Sequence, residues 1–260
     1  MNQSYSQHFR NDAEARRYET GEYAPFSYAS LLYEIECQQL QEVIAALRQS
    51  KPTLQCLDFA SGTGRITAFL ENHVDAVTGI EISEQMCTVA RTKVRQARIL
   101  CADILAPGAA VEGKYDLITA FRFFLNVEPA LRLVALRALA GRLRDSDSLL
   151  VFNNHGNLWS HKLLLWPYHA LRRLGKGRVL AGNYLSSRRM LALLPQAGLQ
   201  IFRTMGCGFY SPKILKLVSY ERALRMERRI AASRGLSPRC VNQMYLTKLA
   251  ASAALPARRD

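Results

Sequence analysis

The stretch LDFASGTGRIT, residues 57–67, closes an apolar run on Asp58 and then sets Gly62 and Gly64 one residue apart before a helical pattern begins. Leu54 to Phe59 reads as a short buried strand, and Ile66, Phe69 and Leu70 recur at helical spacing beyond it. The whole is a strand, a tight turn and a helix start. Glycine admits positive φ and, lacking Cβ, lets backbone N–H groups approach a ligand lying over a helix N-terminus. The turn therefore has the makings of a ligand cradle.

Outward from it, strands and helices alternate. Asp75 to Ile80 is a second strand ending at Glu81, and Ser83 caps a helix whose Met86, Val89, Ala90 and Val94 share a face. Ala97 to Cys101 is a third strand and Tyr115 to Ala120 a fourth, followed by a helix from about Pro129. Ser148 to Asn153 makes a fifth. The segment SSRRMLALLPQAG reads as a helix leading into a sixth strand, LQIFRTM, and VNQMYLTKL alternates like a last one. This order predicts an α/β fold with a doubly wound, seven-stranded, mostly parallel sheet, in which ligands sit beyond the carboxyl ends of the strands at the switch point, where residues 57–67 fall.

Composition sets the surroundings. With 260 residues, 49% hydrophobic and 22% charged, the chain can bury a core as one domain with insertions. No apolar run reaches the roughly 18 residues of a membrane span, and the N-terminus is too polar for a signal peptide, so a cytoplasmic location is expected. Six cysteines without a CxxC pair predict buried free thiols rather than disulfides or a metal site. Net charge is +14 and unevenly spread: residues 1–150 carry 16 Lys and Arg against 18 Asp and Glu, whereas residues 151–260 carry 19 against 3.

Two cofactor classes compete for the glycine turn. A dinucleotide site calls for GxGxxG, but residues 62–67 read Gly-Thr-Gly-Arg-Ile-Thr and lack the third glycine, which disfavours NAD or FAD. Asp58 to Gly64 (DFASGTG) is similar to the first motif of the class I S-adenosylmethionine-dependent methyltransferases, with Ala60 in place of the usual first glycine. The resemblance covers roughly residues 54–206 and the last strand, and it implies S-adenosyl-L-methionine as cofactor. Its methionyl part would lie on Asp58, Ala60, Ser61, Gly62 and Gly64. Glu81, which closes the second strand 23 residues after Asp58, would take both ribose hydroxyls, since a carboxylate can accept two such bonds. CADIL resembles the third motif, so Asp103 would receive the adenine amino group, Ile104 would pack on the ring, and Ile82 and Met86 would form the other apolar wall. Arg65 would pair with Asp58 or the cofactor carboxylate, or stay solvated at its helix start.

The acceptor is read from the ends of the later strands. Ala120 to Asn126, with Phe121 facing the cofactor space, lacks the Asp/Asn-Pro-Pro-aromatic motif of enzymes that methylate amino groups of bases, and no Pro-Cys or Thr-Cys stands there. Nucleic acid is thus not the expected partner, although an RNA methyltransferase using the basic half, or a non-catalytic binding protein, would share these motifs. An imidazole titrates near neutrality, so His155, just beyond the fifth strand, is the candidate general base for a hydroxyl acceptor. Arg122 is a candidate for an anionic group of that acceptor. Residues 1–50 read as a lid segment, with Tyr18, Tyr23 and Tyr28 as candidate substrate contacts and Leu31, Ile35, Leu40, Val43 and Ile44 as a packing face. Insertions at about 154–185 and 207–240 read as basic helical caps. Interleaved aromatic and basic residues there suit an anionic small-molecule, sugar or lipid-linked acceptor, or an anionic membrane surface.

Overall fold

The seven strands form where the apolar runs fall: β1 (Gln55–Phe59), β2 (Ala76–Glu81), β3 (Arg98–Cys101), β4 (Leu117–Ala120), β5 (Leu149–Asn154), β6 (Leu199–Cys207) and β7 (Asn242–Leu249). The computed structural model describes residues 24–105, 113–155, 157, 159–161 and 185–251. The strands make one sheet in the order β3-β2-β1-β4-β5-β7-β6. All pairings from β3 to β5 are parallel, and β7 is antiparallel to both β5 and β6. The carboxyl ends of β1 to β6 therefore lie on one edge, with the glycine turn at the point where the chain order reverses between β1 and β4.

Side chains alternate across the sheet and sort into two cores. On one face Cys56, Leu117, Leu149 and Val151 pack under α1 (Tyr28–Arg48) through Leu40, Val43, Ile44 and Leu47, and under α2 (Arg65–Leu70) through Ile66 and Leu70. On the other, Leu57, Phe59, Ile118, Leu150 and Phe152 meet α5 (Pro129–Ala140), Phe124 of the short α4 (Phe123–Asn126), and Met190 of α6 (Ser187–Leu191). The alternation also fixes polar positions: Asp58, Thr119 and Asn153 point to the α1 face, and Asn154 to the other. Ser83 caps α3 (Glu84–Lys93) by accepting from Met86 N, and Pro129 opens α5, as the residue types dictate.

One predicted element differs. The helix expected over 186–198 stops after Leu191, and Pro195 starts a separate 3-10 turn, Pro195–Ala197, because proline has no N–H to continue the ladder. The segment 207–240, expected as a cap, contains α7 (Tyr220–Ala232), which packs Ala223 and Leu224 on Leu31, Leu32 and Ile35 of α1 and on Cys207. It extends the fold beside α1 at the carboxyl edge. Most of the other insertion, 154–185, lies outside the described residues, as do Tyr18 and Tyr23. No disulfide joins the six cysteines, of which Cys56, Cys87, Cys207 and Cys240 are buried. Among the described residues no helix is long and apolar enough to cross a membrane.

Candidate functional site

After β1 the chain turns through three left-handed residues, Ala60 (φ 54°), Gly62 (φ 56°) and Gly64 (φ 78°), and enters α2. Gly64 has a second constraint: a Cβ there would sit 2.8 Å from Cβ of Ala90, so only glycine lets the turn lie against α3. Ala60, a residue with a Cβ, holds the left-handed conformation at a cost of about 1 kcal/mol.

Two carboxylates brace this turn. Glu81, at the end of β2, is buried and accepts from Gly62 N (3.0 Å), Ile82 N (2.9 Å) and Ser83 N (3.0 Å). Burial raises its pKa, while the bonds from Ser83, Gly62 and Ile82 act in the opposite direction. Asp58 is almost wholly buried, and accepts from the hydroxyls of Thr67 (2.6 Å) and Thr119 (2.7 Å). Desolvation pushes it up to about 6 against those two hydrogen bonds. The strand register makes this possible, since Asp58 pairs with Thr119 across β1 and β4.

Two adjoining cavities open at this edge. The more apolar one is lined by Phe59, Ile80, Ile82, Asp103, Ile104, Leu105, Phe123 and Leu131, and Asp103 stands exposed at its rim with Oδ1 accepting from Leu105 N (2.9 Å). The other is lined by Asp58, Ser61, Gly62, Thr63, Arg65, Met86, Phe121 and Arg122, with Tyr33 and Glu36 contributed by α1. Ala60 and Glu81 line both. One continuous groove thus runs over the glycine turn, with Glu81 at its middle. Ile82 sits in the first cavity as expected, whereas Met86, expected beside it, lines the second.

The acceptor candidates are less gathered. Arg122 lines the second cavity in a left-handed conformation (φ 59°), its N donating to Asn153 Oδ1 at 2.7 Å. Tyr28 instead donates its hydroxyl to the carbonyl of Tyr210 and lines neither cavity; Tyr33 is the tyrosine that does. His155 is half-buried one residue past β5 and is not among the lining residues. Glu36 was not foreseen. A signal for it exists, because it is a charge set in the buried stripe Leu32, Glu36, Leu40 at i, i+4 spacing, where a solvated carboxylate has no place. Arg65 lies with its guanidinium 5.0 Å over the Tyr33 ring.

Residues 56–146 match the family model described as a methyltransferase domain. Among solved structures the chain is similar to magnesium protoporphyrin IX methyltransferase (ChlM) from Synechocystis PCC 6803 with bound SAH, at TM-score 0.59 and 17% identity over 94% of this chain and 96% of that one. It is also similar to N-methyltransferase NodS from Bradyrhizobium japonicum WM9 in complex with S-adenosyl-L-homocysteine (TM-score 0.57, 14% identity, 96% and 100% covered). A third is the mitomycin 7-O-methyltransferase MmcR (TM-score 0.57, 16% identity, 95% and 61% covered). No curated protein matches by sequence. At such identities the structural likeness establishes the fold, which is the Rossmann-like fold of methyltransferases. Residues 56–146, the part of the chain that matches the family model, thus lie in a fold shared with S-adenosylmethionine-dependent methyltransferases.

Proposed function

We propose that the protein uses S-adenosyl-L-methionine to methylate a hydroxyl of a small-molecule, sugar or lipid-linked acceptor bearing negative charge. The observation that carries the cofactor part is the groove whose apolar and polar cavities meet at Glu81. In this assignment Ile82, Asp103 and Ile104 hold the adenine, Glu81 the ribose, and Asp58 with the turn from Ala60 to Gly64 the methionyl end, flanked by Met86 and Phe121. The fit is good: backbone N–H groups already hold Glu81 in place, two on Oε1 and one on Oε2, and Oε2 keeps a lone pair for a ribose hydroxyl. When bound, the cofactor supplies an electrophilic methyl carbon; the chain's task is to align the nucleophile, exclude water and receive a proton.

Arg122 supports an anionic acceptor, because it is a cation lining the cavity assigned to the methionyl end. The exposed cations Lys213, Lys216, Arg222, Arg225 and Arg229 at the same edge of the sheet support it further. His155 stands at a suitable strand end for proton removal. His155→Ala tests that role: a fall in turnover of at least tenfold with cofactor affinity unchanged would assign the proton to His155 rather than to a residue lining the cleft. Full turnover in that variant would return His155 to the loop. Calorimetry with S-adenosylmethionine and its demethylated product tests the cofactor assignment, and a one-methylene mass gain in a fractionated extract identifies the acceptor. Absence of binding to either compound would refute it.

A further inference from the structure

Glu36 is the unexplained charge of the cleft. It is 3% exposed on the sheet-facing side of α1, and it lines the cavity that holds the methionyl end in the proposed assignment. Its Oε1 accepts from two buried amides, Asn153 Nδ2 of β5 and Asn242 Nδ2 of β7, each at 2.6 Å. Among the described residues none donates to Oε2. No ion pair to Glu36 occurs among the described residues either, so a carboxylate has been taken out of water with half of its acceptor capacity directed to a cleft.

A purely structural role does not account for this. The two amides need one acceptor oxygen, which Gln would supply without burying a charge. The partners of Glu36 also reach the cleft wall: Asn153 uses its Oδ1 to hold Arg122 N, which fixes the left-handed turn that presents Arg122 at the end of β4. Glu36 and Arg122 thus both line this cavity, and neither lines the apolar one assigned to the adenine.

We infer that Glu36 is the carboxylate that receives the proton-bearing group of the acceptor, and that the nucleophile is therefore an O–H or N–H group. This rests on the cofactor assignment above. In the transfer the nucleophile's atom bonds to the methyl carbon as the carbon–sulfur bond breaks, the electron pair passes to sulfur, and the nucleophile's proton passes to Glu36. Arg122, which lines the same cavity, then holds an anionic group of the same molecule.

The probe is sinefungin, which carries an ammonium group where the cofactor carries its methyl, compared with S-adenosylhomocysteine, which carries nothing there. A charge-assisted hydrogen bond to Glu36 makes wild-type protein bind sinefungin about tenfold more tightly than S-adenosylhomocysteine. Glu36→Gln keeps an oxygen for Asn153 and Asn242 and removes the charge. In calorimetry it should bind the two compounds with affinities within about twofold of each other, while its affinity for S-adenosylhomocysteine stays within about threefold of wild type. Three results overturn the inference: no preference for sinefungin in the wild type, an undiminished preference in Glu36→Gln, or an equal loss of both compounds in that variant, which would make Glu36 a structural brace. Wild-type protein that binds neither compound overturns the cofactor assignment itself.

Discussion

In the proposed assignment the cofactor half of the cleft draws its polar groups largely from one continuous stretch, residues 58–83, whereas the acceptor half takes Glu36 from α1, Arg122 from the end of β4, Asn153 from β5 and Asn242 from β7. In the first half a local turn and its backbone N–H groups do the holding, and Glu81 has three of them before any ligand arrives. In the second, side chains up to 206 positions apart are fastened to one another. A backbone-built site tolerates side-chain change and suits an invariant ligand. A site assembled from distant side chains is where one fold changes its substrate.

The sharpest way to break this comparison is at Glu81. Glu81→Ala removes the charge-assisted bond assigned to the ribose, worth about 1.5–3 kcal/mol, and also frees the N–H groups of Gly62, Ile82 and Ser83 from their acceptor. Affinity for S-adenosylhomocysteine should fall at least tenfold, and a change at Arg122 to Ala should leave it within about threefold. A folded Glu81→Ala protein that binds as tightly as wild type would dissolve the distinction between the halves.

Asp58 gives the next largest effect. Its pKa rises from 3.8 to about 6 in the folded protein, so between those values the folded state binds more protons than the unfolded one. Stability contributed by this group is thus greatest at low pH and declines as pH rises from about 4 to about 6, by roughly 3 kcal/mol over the window. Asp58→Asn removes that decline. Urea unfolding of wild type and variant at pH 4.5 and 7 should show the variant gaining relative to wild type at the higher pH. A constant difference between them would mean that Asp58 ionises in the fold as easily as in solution.

Much of the cofactor half was legible because its parts are local. Asp58, the glycine pair, Glu81 and Asp103 follow strand ends at fixed spacing, and burial of alternate apolar residues marks those ends. The left-handed angle at Ala60 is one that the residue type by itself conceals. The acceptor half was mostly illegible. Nothing in the local pattern around residue 36 says that Asn153 and Asn242 will converge on it; that follows only from β7 inserting between β5 and β6. Likewise the tyrosines near the N-terminus share a composition, and helical phase alone decides that Tyr33 faces the cleft while Tyr28 reaches Tyr210. His155 was chosen for its chemistry at a strand end, a choice that cannot register which way the following loop turns.

The smallest expected effect concerns the outer rim of the acceptor half, where residues 212–239 hold eight Lys and Arg against two Glu. One of those acids, Glu227, is buried and accepts from Phe209 N and Tyr210 N, so it does not offset the surface charge. Arg222, Arg225 and Arg229 share an exposed face of α7 at three- and four-residue steps. Beside its N-terminus Leu217 is 78% exposed, and Phe26, 68% exposed, lies edge-on to Tyr220 at 5.4 Å. Apolar tips beside a basic helix face match the interface of an anionic membrane, where each cation contributes about 1 kcal/mol and salt weakens it within a Debye length. The protein is expected to co-sediment with anionic vesicles at low salt, to be partly released at high salt, and to ignore neutral vesicles. Leu217→Glu should lower the bound fraction several-fold without changing S-adenosylhomocysteine affinity. Equal recovery with both vesicle types, or none with either, would separate the basic rim from lipid and leave a water-soluble anionic acceptor, such as a sugar phosphate, as what Arg122 and this rim attract.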